Sequence, residues 1–181
     1  NAILFSMSME QGAAYLKGHY PLKESEAEIL EGIQDMLRDF YEDEVPAKAG
    51  ARETLALLQS RGIPMAAATS SPRTHVTRAL DRLGLLPYIE AIFTTGEVGR
   101  SKHEADIYHL AAQALHTAPA ETLVFEDSLY ALRTAHSAGY PTVGVYDANG
   151  ESDQQGMRSA ADIYLVSLRE FPAAWERLNR L

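Results

Sequence analysis

The sequence contains no cysteine among its 181 residues. Disulfide bonds and thiolate metal sites are therefore excluded, which fits a reducing compartment, and we expect the protein to be cytoplasmic. The sequence also lacks an apolar run long enough to span a membrane. Residues 1–9 have no basic segment, and their apolar core is too short for a signal peptide. We therefore predict no membrane association.

Basic residues are in the minority. Lys and Arg together number 16 against 25 Asp and Glu, which gives a formal net charge of -9. They form no clustered stripe, so nucleic acid and anionic membranes are not expected as partners. Hydrophobic residues make up 46% of the chain, which at this length is sufficient for one core and a small satellite domain.

Short apolar runs alternate with helical patterns from Ala51 onward. Helices are predicted at 51–61, 72–83, 104–116 and 128–138, with a terminal helix interrupted near Pro172. Strands are predicted at 63–69, 91–94, 122–125, 142–146 and 163–166. This alternation predicts an α/β fold, a doubly wound (Rossmann-like) parallel sheet with helices on both faces.

The first 45 residues follow a different pattern. Ala2 to Phe5 predicts a short buried strand, whereas residues 6–44 are helical and strand-free. Ser25 and Glu28 form a capping box at the start of a long amphipathic helix. Pro46 and Gly50 indicate a linker. We therefore expect a first core strand at 1–5, a small helical domain at 6–45 and an α/β core at 46–181.

Polar side chains follow several predicted strands. Thr69 ends one strand, Glu126 and Asp127 end another, and Lys102 stands just before a helix. Taken singly, Thr69 would be a turn residue, Lys102 a solvated lysine and Asp127 a helix cap. Because strand carboxyl ends converge in one crevice of an open sheet, we expect the four together. A hydroxyl, an ammonium and two carboxylates suit phosphoryl transfer.

Three segments resemble sequence motifs of the haloacid dehalogenase-like (HAD) phosphohydrolases. Ala66 to Ser71 resembles the second motif, Arg100 to Lys102 followed by Asp106 to Tyr108 resembles the third, and Val124 to Ser128 resembles the acidic fourth. Their order and spacing are also similar to the family's. Within the family, the chain is most similar to the β-phosphoglucomutase-like phosphatases with a helical cap, to which residues 6–45 would belong as a partial cap.

The resemblance implies a site and an activity. Asp127, with Glu126, would hold Mg2+, and Thr69, Ser70 and the neighbouring amides would bind the transferring phosphoryl group. Lys102 would orient and neutralise that group, so Thr69 and Lys102 would be the catalytic residues. The implied function is a Mg2+-dependent phosphatase acting through an aspartyl-phosphate on a small sugar-like or nucleotide-like phosphomonoester. We expect it to be a monomer.

The third motif departs from the family pattern. Lys102 is followed by His103, Glu104 and Ala105, where the family has Lys-Pro-x-Pro, so the rigid proline turn is lost. We expect His103 to be a surface residue at a helix start. The helix that follows carries two histidines seven residues apart, but no third metal ligand is evident and we expect both to be exposed.

The first motif is missing. Ala2 to Phe5 resembles the family's first strand, but the Asp-x-Asp nucleophile and acid/base pair should follow it, and Ser6 to Met9 stands there instead. Without that pair the chain would be a catalytically dead binding protein. A phosphomutase is the other alternative, disfavoured because residues 6–16 contain no Lys or Arg for a second phosphate. A response-regulator receiver is set aside because its Asp precedes the Thr and Lys.

We expect the physical protein to be longer than this sequence, with a few tens of residues between Phe5 and Ser6 that begin with an Asp-x-Asp pair. A direct join would run a central strand into a helix without a turn, and would leave the apolar stripe of the helix after Ser25 uncovered. The absence of an initiator Met agrees with this expectation. Intact-protein mass spectrometry should give several kilodaltons above 19.9 kDa. A mass at that value would favour the binding protein.

Overall fold

The computed structural model describes residues 9–178, which form two compact units divided between Val45 and Pro46. The predicted strand Ala2 to Phe5 lies outside the described residues. The identification of residues 6–45 as a cap stays a prediction. No helix of the described range has the length and apolar character of a membrane span.

The first unit is helical. It contains α1 (Met9–His19), α2 (Glu26–Asp39) and a π-helical turn (Phe40–Glu44). The predicted capping box opens α2: the Ser25 amide donates to the Glu28 carboxylate at 2.8 Å, and the Glu28 amide donates to the Ser25 hydroxyl at 3.3 Å. These two bonds satisfy amides that have no partner within the helix, so they fix where α2 begins.

The second unit alternates helices with parallel strands. Its helices are α3 (Ala51–Ser60), α4 (Arg73–Arg82), α5 (Thr95–Val98), α6 (Asp106–Ala114), α7 (Leu129–Ser137), α8 (Gln154–Ala160) and α9 (Phe171–Leu178), with 3-10 turns at Leu86–Tyr88, Pro119–Glu121 and Leu168–Glu170. Its strands are β1 (Ala66–Thr69), β2 (Ala91–Thr94), β3 (Val124–Glu126), β4 (Thr142–Val145) and β5 (Ile163–Leu165). The predicted α/β class is confirmed.

The strands form two parallel sheets. β1 pairs with β2 in one sheet, and β4 lies between β3 and β5 in the other. β3 and β4 are in a register that places Glu126 opposite Gly144. No strand within residues 9–178 joins β1 to β3, and a cavity of about 710 Å³ lies between them. Within the described residues, two separate sheets therefore stand where the sequence predicted a single continuous one.

Helices cover both faces of the strands. On one face, Phe125, Val143 and Leu165 pack with α3 and α9 around the buried Phe171. On the other, Val124 packs with α6 and α7, and a third cluster joins α7 to α8. Because Val124 and Phe125 are successive residues of one strand, they point to opposite faces. This two-sided cover is that of a doubly wound domain.

Several element boundaries differ from the predictions. β1 begins at Ala66 rather than Ile63. The Ile63 amide donates to the Leu58 carbonyl at 3.1 Å, and this bond belongs to the end of α3 rather than to a strand. α9 begins at Phe171, so Pro172 lies in its first turn, where proline is tolerated, and does not interrupt it. The polar helix α8 was not predicted. Asp153 caps it by accepting from the Gly156 amide at 2.7 Å.

The linker into the second unit is held by close backbone contact at Gly50. Gly50 has a φ of +89°, and a Cβ there would lie 2.6 Å from the Leu168 carbonyl carbon. Ser167 also donates to the Ala49 carbonyl at 3.2 Å, and Thr54 donates to the Leu168 carbonyl at 3.1 Å. The start of α3 is thereby fixed to the turn before α9.

Gly50→Ala should lower the free energy of unfolding by about 2 to 4 kcal/mol, because a left-handed backbone cost adds to overpacking against main chain that has no room to shift. Gly62→Ala is the matched control, since Gly62 has a φ of +68° with no heavy atom within 4 Å of the added Cβ. It should lose only about 1 to 2 kcal/mol. Urea denaturation followed by Trp175 fluorescence measures both, and equal losses would contradict the packing argument.

Candidate functional site

Five charged side chains of the second unit lie near the ends of β3 and β4: Lys48, Lys102, Glu126, Asp127 and Asp147. β3 ends at Glu126 and is followed by Asp127, while Asp147 comes two residues after the end of β4. Lys102, from the loop before α6, and Lys48, from the linker before α3, line the same cavity as the two carboxylates of β3. Strand ends, a loop and the linker therefore contribute to one site.

Glu126 is held by two donors. The Lys102 ammonium donates to its Oε1 atom at 2.6 Å, and the Tyr108 hydroxyl donates to the same atom at 2.8 Å. The side chains of Lys102 and Glu126 are only 12% and 5% exposed. Burial raises the pKa of the Glu126 carboxyl, against the opposing attraction of Lys102 and Tyr108. Burial also raises the pKa of the Tyr108 hydroxyl, which therefore stays protonated as a donor.

Asp127, the next residue, is in a different environment. Its side chain is 45% exposed, and its Oδ2 atom lies 3.2 Å from the Lys48 ammonium. The same ammonium also pairs with Asp147. Partial burial opposes the charged form of Lys48, but the two carboxylates outweigh it and raise the pKa of its ammonium. The two adjacent acids thus differ in exposure: Glu126 is buried against Lys102, and Asp127 is accessible and pairs with Lys48.

Asp147 is part of this site through its position and its hydrogen bonds. Its Oδ1 atom accepts from the Asn149 amide at 2.8 Å. Burial alone would raise the pKa of Asp147, but the Lys48 ammonium and the amides of Asn149 and Gly150 lower it below the usual value. Sequence reasoning missed Asp147, although it follows a predicted strand and the strand-end rule would have found it. No sequence signal identified Lys48.

Thr69 and Ser70 lie at the carboxyl end of β1, as predicted, but outside the lining of the cavity. The Thr69 hydroxyl accepts a hydrogen bond from the Ser71 amide at 3.1 Å, which shapes the turn into α4. Thr69 is half-buried and Ser70 is exposed. The structure therefore brings Lys102, Glu126 and Asp127 together, while the two hydroxyls occupy the end of the neighbouring sheet.

The turn after Lys102 forms without the family's prolines. The Glu104 amide donates to the Ser101 carbonyl at 3.1 Å, and the Glu104 carboxylate pairs with Arg100. His103 is exposed, as predicted, and its ring stacks on Tyr130 with centroids 4.4 Å apart. Local hydrogen bonds thus replace the rigidity that proline would supply.

The two histidines of the predicted helix do not share one helix face, because α6 ends at Ala114 and His116 follows it with a φ of +56°. His109 and His116 are both exposed, as predicted, and His109 Nδ1 lies 2.7 Å from the Tyr140 hydroxyl. Within residues 9–178, no group of three or more His, Asp or Glu side chains could hold a metal ion.

The carboxylates around Lys48 are suited to a hard cation. Asp127 and Asp147 already hold one cation between them, the Lys48 ammonium. Mg2+ is usually held by one or two carboxylates and keeps several waters, so a large protein cluster is not required. The donor set therefore fits Mg2+, with Asp127 as the more accessible carboxylate.

The fold and the site together define a parallel α/β domain with acidic and basic side chains at its strand ends. A family model for haloacid dehalogenase-like hydrolases matches residues 8–139, and the chain belongs to that family. The resemblance found in the sequence is confirmed.

The chain is similar to many known proteins, among them two curated phosphatases and one solved structure. A validoxylamine A 7'-phosphate phosphatase from Streptomyces hygroscopicus subsp. limoneus is 33% identical over 67% of this chain and 55% of its own length. A phosphorylated carbohydrates phosphatase from Thermotoga maritima is 27% identical over 88% of this chain and 74% of its own length. A solved structure of a candidate β-phosphoglucomutase from Thermotoga maritima is 26% identical, with a TM-score of 0.78 over 98% of this chain and 82% of that one.

The chain therefore spans about half the length of the Streptomyces relative, and 74% of the Thermotoga phosphatase. Both relatives carry phosphatase names. The structural similarity extends over nearly all of this chain.

Lys102→Met should lower the free energy of unfolding by about 3 to 5 kcal/mol, because it leaves the buried Glu126 carboxylate without its cation. Adding Glu126→Gln should recover part of that loss by removing the uncompensated charge. Arg100→Met is the control, since Arg100 and its partner Glu104 are 53% and 48% exposed, and should change stability by no more than about 1 kcal/mol. Chemical denaturation decides, and equal losses for Lys102→Met and Arg100→Met would contradict the buried pair.

Proposed function

We propose that the protein is a Mg2+-dependent phosphatase that hydrolyses a small phosphomonoester, of a sugar or nucleotide-like kind, through an aspartyl-phosphate. The observation that carries the proposal is the pair of adjacent carboxylates in contrasting environments. Glu126 is buried against Lys102, while Asp127 is accessible and pairs with the Lys48 ammonium. The phosphatase names of the two curated relatives support the same class of reaction.

Each site residue has a part in the proposal. Asp127 would hold Mg2+, which when bound neutralises charge on phosphoryl oxygens. Lys102 would face the transferring group, with its ammonium oriented by the carboxylate of Glu126. Glu126 as a metal ligand stays a prediction, and its hydrogen bonds favour the orienting role. Thr69 and Ser70 would donate to phosphate oxygens from the end of β1.

The nucleophile is the remaining requirement. An aspartyl-phosphate needs a carboxylate that attacks phosphorus, and no aspartate precedes Asp35 in the sequence. We propose that the Asp-x-Asp pair belongs to the segment expected after Phe5. Without that segment, Lys102 and Asp127 would still suit a protein that binds a phosphate and a metal without turnover.

The proposed substrate is small and soluble. A net charge of -9 argues against nucleic acid and anionic membrane surfaces as partners. We propose that the protein works as a monomer, because the described site residues come from one unit of one chain. We propose a cytoplasmic location because the sequence has no cysteine. The relatives' named substrates are phosphorylated carbohydrates and a validoxylamine phosphate, so sugar phosphates are the first esters to test.

A phosphomutase is the second candidate, favoured by the similarity to the candidate β-phosphoglucomutase. It would need a basic residue in the helical unit to hold a second phosphate group. The first basic residue there, Lys17, donates to the Leu22 carbonyl at 2.8 Å and so has a local role. Release of inorganic phosphate identifies the phosphatase, whereas isomerisation of a hexose monophosphate without release identifies the mutase.

Asp127→Asn should abolish Mg2+-dependent phosphate release across a panel of sugar and nucleotide monophosphates, while leaving the unfolding midpoint nearly unchanged. The change is close to isosteric, but it removes a charged ligand for a hard cation. Asp81→Asn is the control, because Asp81 is an exposed carboxylate on α4, and should retain wild-type turnover. Retained turnover in Asp127→Asn would show that the metal role is wrong.

A further inference from the structure

Lys48 is held at the site by the linker backbone. Its carbonyl accepts from the Ala51 amide at 3.0 Å at the start of α3. The next residues are fixed in turn, since Ser167 donates to the Ala49 carbonyl and Gly50 packs against the backbone of Leu168. The fold therefore fixes the position of the Lys48 main chain, from which the side chain extends toward the site.

The Lys48 ammonium joins the ends of two neighbouring strands. Asp127 directly follows β3, and Asp147 follows β4, which pairs with β3 in parallel. The ammonium lies 3.2 Å from Asp127 Oδ2 and also pairs with Asp147. One positive charge is thus shared by two carboxylates, and one of these is the proposed metal ligand.

We propose that Lys48 is an internal counter-ion that competes with the divalent cation for Asp127 and so sets the metal affinity of the site. The inference rests on the metal site of the proposed function and assigns to it a residue that no sequence motif identified. Lys48 is a positioning residue here, because it acts through Asp127 and not on the substrate.

The competition follows from charge and from shared oxygen atoms. A divalent cation on Asp127 would be repelled by an ammonium a few ångströms away, and the ammonium would lose its contact with Oδ2. Asp147 gives the ammonium a second partner, so Lys48 can leave Asp127 without becoming unpaired. Since Lys48 and Asp127 are 38% and 45% exposed, solvent screening keeps the effect modest. We expect about a tenfold change in affinity.

The test measures metal binding directly, with Mg2+ by isothermal titration calorimetry and with Mn2+ by the electron paramagnetic resonance signal of the free ion. Lys48→Met should bind both ions about tenfold more tightly than wild type, and Lys48→Arg, which keeps the charge, should not. Because a disturbed fold weakens metal sites, tighter binding is an outcome that structural damage does not produce. Asp127→Asn should remove the binding.

Arg61→Met is the matched control. It also removes one positive charge from the second unit, but Arg61 is exposed and follows the last residue of the ten-residue α3, whereas Lys48 precedes the first. The helix rise separates the two positions by about 15 Å, beyond the screening length at physiological salt. Its metal affinity should stay within about twofold of wild type. A gain equal to that of Lys48→Met would reduce the effect to net charge and overturn the inference.

A double variant separates the roles of Lys48 and Asp147. In Asp147→Asn the ammonium has only Asp127 left, so metal binding should weaken. If that effect acts through Lys48, the Lys48→Met/Asp147→Asn variant should bind as tightly as Lys48→Met. A double variant that binds no better than Asp147→Asn would make Asp147 a direct ligand and overturn the assignment of control to Lys48.

Failure of this inference is distinguishable from failure of the proposed function. Wild-type binding that is lost in Asp127→Asn but unchanged or weakened in Lys48→Met would overturn the counter-ion and leave the metal site intact. No binding of Mg2+ or Mn2+ by wild type or any variant would overturn the metal site, and the counter-ion with it.

Discussion

A buried carboxylate constrains the second unit. Glu126 is 5% exposed, and an ionised carboxyl in that environment is tolerated only with a cation and hydrogen-bond donors beside it. Lys102 supplies the cation from a loop, and Tyr108 supplies the hydroxyl from α6. The buried carboxylate therefore links β3 to the loop before α6 and to α6 itself. Glu126 lies at the end of β3, which is where the proposed chemistry needs the oriented ammonium of Lys102.

The same constraint explains why two adjacent acids differ. Glu126, the last residue of β3, pairs inward with Lys102, whereas Asp127 lies in the turn after the strand and is partly exposed. The partner of Asp127 comes from the linker, whose Lys48 also pairs with Asp147. Under the proposed function, this accessible acid would exchange the Lys48 ammonium for a metal cation. An acid sealed between Lys102 and Tyr108 has no such freedom.

Local patterns in the sequence predicted local structure well, and long-range contacts poorly. The Ser25 capping box and the strand Ala91–Thr94 formed as predicted, because their signals lie within a few residues. The strand-end rule predicted that Lys102 and Glu126 lie close together, and the two side chains are hydrogen-bonded. Lys48 was missed because its partners lie 79 and 99 positions away and nothing in the linker marks it. Among the described residues the strands form two sheets, and the predicted first strand lies outside that range.

Packing of the linker and charge at the site are connected through one short segment. Gly50 can approach the backbone of Leu168 and Arg169 because it has no side chain and has a positive φ. That approach fixes the start of α3, and Lys48 lies two residues earlier, with its carbonyl already bonded to Ala51. The side chain of Lys48 spans a limited distance, so its reach to Asp127 depends on where this backbone is docked. The steric contact at Gly50 therefore affects whether the Lys48 ammonium reaches the accessible carboxylate of Asp127.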